Sequence, residues 1–188
     1  MPFEQGGPQF GARQCKVGTW VGDGTYTDIT TVFGVRVIGA ALESTSQDLD
    51  GDDTTLATAV TIKKASVTLA MASIQFHVIA VLSGNPEVDS GALTRVMITS
   101  RQPPYVGVAG RALAVEGAGD THLFVPKAKM SGGFEVRMEL DTFSIPSITL
   151  SAVADDNFLD ADDFPLIFDM DQHETAEVVA LPPTGMGS

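Results

Sequence analysis

Basic residues are scarce in this chain. Its 188 residues include 11 Lys and Arg against 24 Asp and Glu, a formal net charge of −13. A grip on nucleic acid needs Lys and Arg to displace counterions from phosphates, so this balance argues against one. It argues equally against docking on an anionic membrane surface. Cysteine is limited to Cys15, which excludes an intrachain disulfide and a cysteine-built zinc site. Long apolar runs are missing too. The most apolar stretch, "LAMASIQFHVIAVL" at 69–82, is too short to span a bilayer and carries Ser, Gln and His. The opening "MPFEQGGPQFGARQCK" lacks the basic-then-apolar order of a signal peptide. The chain is therefore expected to be soluble and made in a cytoplasm.

What is present is an apolar content of 44%, enough to build a core despite the charge. The dominant signal is alternation with period two, the mark of half-buried strands. In "FEVRMEL", Phe134, Val136, Met138 and Leu140 alternate with charged residues, and in "SITLSAVA" Ile148, Leu150 and Ala152 set one face. In "VTIKKASVTLAM", Val60 and Ile62 are even-numbered, whereas Ala65, Val67, Leu69 and Met71 are odd. The parity changes at Lys63-Lys64, where one extra residue predicts a β-bulge. Further strands are expected over 32–45, 106–116, 120–130 and 175–180, with turns at 22–24, 116–120 and 131–133. Residues 1–13, rich in Gly, Pro and Gln, read as an arm or irregular start.

One segment departs from alternation. "SIQFHVIAVLSGNP" at 73–86 offers Ser73 as an N-cap and Gly84 and Pro86 as stop signals, which predicts a short helix, although alternation at 74, 76 and 78 also permits a strand. Ile74, Val78, Val81 and Leu82 share a face, while Phe76, Ile79 and Ala80 cover much of the remainder. A helix apolar nearly all round needs burial on more than one side. Phe76, Ile79 and Ala80 are accordingly candidates for packing against a second subunit.

Motifs that carry chemistry are thin. "QDLDGDDT" at 47–54 spaces Asp48, Asp50 and Asp52 like the first ligands of an EF-hand loop. Its sixth position is Asp53 where Gly is needed, and its twelfth is Ala59 where a bidentate Glu is needed. "DDNFLDADDF" at 155–164 fails likewise, with Pro165 at the sixth position counted from Asp160. Both read as turns whose carboxylates bond their own backbone. No nucleophile elbow, phosphate loop or dinucleotide fingerprint occurs in the sequence. His77, His122 and His173 lie on separate segments without paired spacing, so no metal trio is expected. His77 reads as an interior or interface residue and His122 as a strand-surface one. Neither a cofactor nor a catalytic residue is expected. A calcium-dependent β-sandwich binding or adhesion module is the alternative that the two acidic clusters support.

The order of four stretches resembles the major tail protein, or tail tube protein, of siphophages. These are "VFGVRVIGAALES", "LDGDDTTLATAVTIKKASVTLAMASIQFHVIAVLSG", "HLFVPKAKMSGGFEVRMELDTFSIPSITLSAVAD" and the closing "FDMDQHETA". The resemblance runs from about residue 32 to residue 182 and leaves the first thirty residues uncovered. Residues 1–30 are thus set apart as an N-terminal arm and first strand region. Residues 31–188 form the expected tail tube domain with its C-terminal strand and tail. The resemblance implies a mainly β fold, a β-sandwich or barrel with one flanking α-helix. It also implies hexameric rings stacked into a tube in the virion tail, with other tail proteins such as the tape measure and the terminator as partners. Double-stranded DNA would pass through the lumen without specific binding. The subunit of type VI secretion tubes is similar in fold, so fold does not separate the two functions.

The composition suits this role. A wall rich in Asp and Glu would keep phosphates from adhering, over a screening distance of about 8 Å. Asp48, Asp50, Asp52 and Asp53, read as a loop between two long strands, are candidates for contact with the next ring. Replacing Asp52 and Asp53 together by Lys is expected to impair tube polymerisation, as scored by negative-stain microscopy. Normal tubes would mean a merely solvated turn.

Overall fold

The computed structural model describes residues 9–51, 54–114, 119–132, 146–173 and 180–182, and most of them are strand. In chain order the elements are β1 (Gln9–Gly22), β2 (Thr25–Val32), β3 (Val35–Gly51), β4 (Thr54–Met71) and α1 (Phe76–Ser83). There follow β5 (Glu87–Asp89), β6 (Thr94–Val96), β7 (Tyr105–Ala114), β8 (Asp120–Met130) and β9 (Ser147–Val153). The last are β10 (Asp155–Leu159), β11 (Pro165–Leu166) and β12 (Asp169–His173). One antiparallel sheet runs β2-β1-β7-β8-β9-β4-β3. β12 lies beside Asp120–Phe124 of β8, and β9 beside Ala128–Met130 of the same strand.

The two ends of that path, β2 and β3, are joined by the turn at Phe33–Gly34 alone, with Gly34 at φ 61°. The sheet must therefore curl until its ends approach. A Cβ built on Gly110 of β7 would fall 2.2 Å from Ile38 Cδ1 of β3, although these strands are far apart in the path. The curl encloses one apolar cluster to which every strand of the path contributes, from Val17 and Val32 to Val67, Val108, Val125 and Leu150. Each such side chain contributes roughly 1.5–3 kcal/mol when fully buried. The result is mainly β and barrel-like, with one short flanking helix.

Local chemistry explains the elements. Ile148, Leu150 and Ala152 are buried and their neighbours in β9 are not, as alternation predicts. "GDG" forms the β1–β2 turn with Asp23 at φ 49° and Gly24 at φ 66°, the pair of positive angles a tight hairpin favours. The ladder pairs Glu43 with Lys64 and then Ser44 with Ile62, so Lys63 is the extra residue of the predicted bulge. The segment "FEVRMEL" and most of 175–180 lie outside the described residues.

Three expectations change. Gln9–Arg13 is not an irregular arm but the start of β1, which pairs with β7. With β2, this strand places Cys15, Val17 and Val32 in the common core, so residues 9–30 are integral to the domain. Burial pushes the Cys15 thiol up to about 12, which makes it inert. The helix begins at Phe76 rather than after Ser73, because Gln75 occupies the N-cap position. Its buried side chain accepts a hydrogen bond from the Phe33 N–H at 2.9 Å and donates to the Phe33 carbonyl. Gln75 thereby ties the helix start to the turn that joins the sheet's ends. Gly84, at φ 68°, ends the helix as predicted.

The opposite face of the β1–β7–β8 region carries a second cluster of Ala109, Phe124, Phe158 and Leu181, with Tyr26 packed against it. Tyr26 donates to the Pro126 carbonyl at 2.9 Å, and its ring stacks on Phe158 at 6.5 Å. Only glycine fits beneath that ring, since a Cβ on Gly107 would meet Tyr26 Cε1 at 2.2 Å. Gly107→Ala is expected to destabilise the monomer by about 1–3 kcal/mol through overpacking. Gly39→Ala, where a Cβ meets nothing within 4 Å, should not destabilise it. Urea unfolding of both variants checks the contrast, and equal stabilities would refute it.

Candidate functional site

The pairing of β9 with β4 stops at Lys64–Val153. Beyond the bulge, β4 has only β3 beside it among the described residues, and β3 is an end strand of the sheet. From Ser44 to Gly51 the hairpin thus projects by roughly 25 Å, at about 3.3 Å per residue. A two-stranded ribbon is marginal by itself in water.

Lys63 decides what the ribbon presents. Because it is an extra residue, Ile62 and Val60 fall opposite Ser44 and Ser46. Ala65 falls opposite Leu42, two residues from Ser44 on β3, so all of these lie on one face despite the change of parity. The core face of the barrel therefore continues along the projecting ribbon. There it is uncovered: Leu42 is 52% exposed, Val60 62% and Ile62 46%.

The acidic stretch is not the loop that its composition suggests. Asp48 pairs with Thr58 and Asp50 with Thr55, so both belong to the ladder. Threonines on β4 favour strand geometry and carry the pairing outward. Asp52 and Asp53 lie outside the described residues. In the second acidic cluster, Asp160 Oδ1 accepts the N–H groups of Asp162 and Phe164, each at 2.9 Å, as an Asx-type turn requires. Asp155 is buried, and accepts from Trp20 Nε1 at 2.8 Å and from Asn157 Nδ2 at 2.7 Å.

Helix α1 packs Val78 and Leu82 into the main core. Of the three residues expected at a subunit interface, Ile79 is only 4% exposed and is buried within its own domain. The helix is short and its β1–β2 side is covered, so less of its circumference is left open than the sequence suggests. Phe76, 43% exposed, and the half-buried Ala80 remain accessible. A groove of about 740 Å³ runs past Ala80, walled also by His77 and Val81 of α1, by Asp28 and Ile29 of β2, and by Arg101. Arg101 Nη1 donates to the Gly84 carbonyl at 3.1 Å, which holds the helix end against the following loop.

A third feature lies on the sheet. Gln14, Arg111, His122 and Asp171 are successive cross-strand partners on β1, β7, β8 and β12. Arg111 Nη1 lies 3.4 Å from Asp120 Oδ2, and both side chains are largely buried. The rings of His122 and His173 approach to 4.3 Å between centroids. Asp171 Oδ1 lies 3.2 Å from His173 Nε2 and 4.0 Å from His122 Nδ1. Burial, then the neighbouring His173, hold the His122 imidazole below its usual pKa, against the opposing pull of Asp171. His122 and His173 are thus neighbours rather than separate surface residues, while His77 stays on α1. Asp171 and His173, two apart in a strand, share a face, and that spacing is the only local signal of the cluster. The partnership with His122 arises from ladder register across 49 positions of sequence.

No family model matches this chain, and a search of curated proteins finds no match to it either.

Ile79→Ala is expected to cost about 2–5 kcal/mol of monomer stability, as for a buried aliphatic side chain. Phe76→Ala should cost within about 1 kcal/mol at its exposed position. Denaturant unfolding of dilute protein distinguishes them, and similar losses would contradict the assigned burial.

Proposed function

We propose that this chain is a structural subunit which assembles with its own copies into hexameric rings, stacked as a tube like that of siphophage tails. In that role it resides in the virion tail and meets the tape measure and terminator proteins. Double-stranded DNA slides past it without specific binding. The observation that carries the reading is the apolar stripe of Leu42, Val60 and Ile62 on a projecting ribbon. A core face that runs past the end of its own domain calls for cover, and a second copy supplies cover of matching chemistry.

Two further observations support it. β3 offers an edge among the described residues that spans 17 positions, and such an edge is a template for strand pairing with another chain. Strands donated around a ring would close a shared barrel and remove those edges. The surplus of 13 acidic charges opposes adhesion of phosphates wherever carboxylates line the passage. The calcium-binding alternative has less behind it, since Asp155 and Asp160 already accept hydrogen bonds from their own chain.

Val60→Lys combined with Ile62→Lys is the test. The double variant should keep the wild-type circular dichroism spectrum, because both positions are exposed. Rings and tubes formed by the wild type at rising concentration should disappear, as followed by sedimentation velocity and negative-stain microscopy. A wild-type protein that stays monomeric at all concentrations would overturn the proposal.

A further inference from the structure

We propose that His122, Asp171 and His173 form a three-ligand site for a divalent transition-metal ion of the zinc class, which clasps β12 to β8. One ligand atom from each residue lies within 4.8 Å of the others. Tetrahedral zinc, with bonds of about 2.0–2.2 Å, spaces its ligands about 3.3–3.5 Å apart, so modest rotamer movement closes the site. The ladder supplies the framework. His122 faces Asp171 directly across β8–β12, and His173 follows two residues later on the same face.

The chemistry of the set selects the ion. Two imidazoles with one carboxylate suit zinc, nickel or copper rather than calcium or magnesium, which take oxygen ligands. His122 Nε2 is buried without a hydrogen-bond partner among the described residues. Asp171 Oδ1 lies between the two imidazoles, and accepts no well-aligned hydrogen bond from a described residue. The nearby Arg111 charge is offset by Asp120 at 3.4 Å, so the cation meets a neutral pair rather than a bare guanidinium. Partial exposure of Asp171 and His173 leaves a fourth coordination position open to water.

The position gives the ion a structural use. β12 has five residues and pairs with β8 beside the C-terminal end of β9. An ion bound to one residue of β8 and two of β12 staples the late strand to the sheet whether or not the chain assembles.

Calorimetric titration of the untagged, chelator-treated full chain with Zn²⁺ tests the site. Saturable binding of one ion per chain is expected, with a rise in melting temperature and no response to Ca²⁺. Asp171→Asn and His173→Ala should each weaken binding at least about tenfold, while His77→Ala leaves it unchanged. In the wild type, proton NMR should show the ring signals of two of the three histidines shifting with Zn²⁺. Absence of saturable binding, binding that survives His122→Ala with His173→Ala, or equal shifts of all three histidines would each overturn the inference.

Discussion

The fold depends on one continuous apolar face. Seven strands present it inward, and the sheet has to curl because only Phe33–Gly34 separates the strands at its two ends. Nothing in the face marks where the domain should stop. Val67 and Leu69 are covered by the curl, whereas Ile62 and Val60, farther along the same strand, are not. The inserted Lys63 keeps the two stretches on one side. Without it, the apolar residues of the ribbon would lie on the opposite face from the core. The bulge therefore carries the apolar face of the core out onto the exposed ribbon.

The reverse of the β1–β7–β8 region obeys a different constraint. Glycine at 107 makes room for Tyr26 to lie flat on the sheet, and the β10–β11 hairpin brings Phe158 against that ring. Trp20 extends this surface, with its indole N–H on Asp155 and Lys127 Nζ 4.0 Å over its ring. Both lysines of the "PKAKM" segment thus stand over aromatic rings, Lys127 over Trp20 and Lys129 5.3 Å from the Tyr105 ring.

Much of this was legible in the chain, for identifiable reasons. β8 over 120–130, the bulge at Lys63 and the helix stop at Gly84 follow from local patterns: alternation, parity and a left-handed cap. β1 was obscured by its glycines. Gly11, at φ 71°, sits where the β1–β7 register shifts, so strand and irregularity coexist there. The acidic hairpin extends farther than its composition indicates, because composition marks turns while ladder length depends on the partner strand. Helical periodicity counts apolar faces without showing which are already covered, so Ile79 falls inside its own domain rather than at an interface. The His122–Asp171–His173 cluster was invisible for a topological reason. It exists only because β12 returns to the first half of β8, and no local spacing encodes that return.

The pairing of β1 with β7 carries a consequence for synthesis. Its register joins Thr19 to Val106 and Gln9 to Ala114, so the strand made first waits for a partner made much later. The β3–β4 hairpin is local and closes on a scale of about 1–10 μs once both strands have emerged. On the ribosome, the apolar ribbon is therefore complete while the body that should carry it is still half built. Crowded polysomes translating this message would hold many such ribbons side by side before β7 emerges, with their exposed apolar faces uncovered.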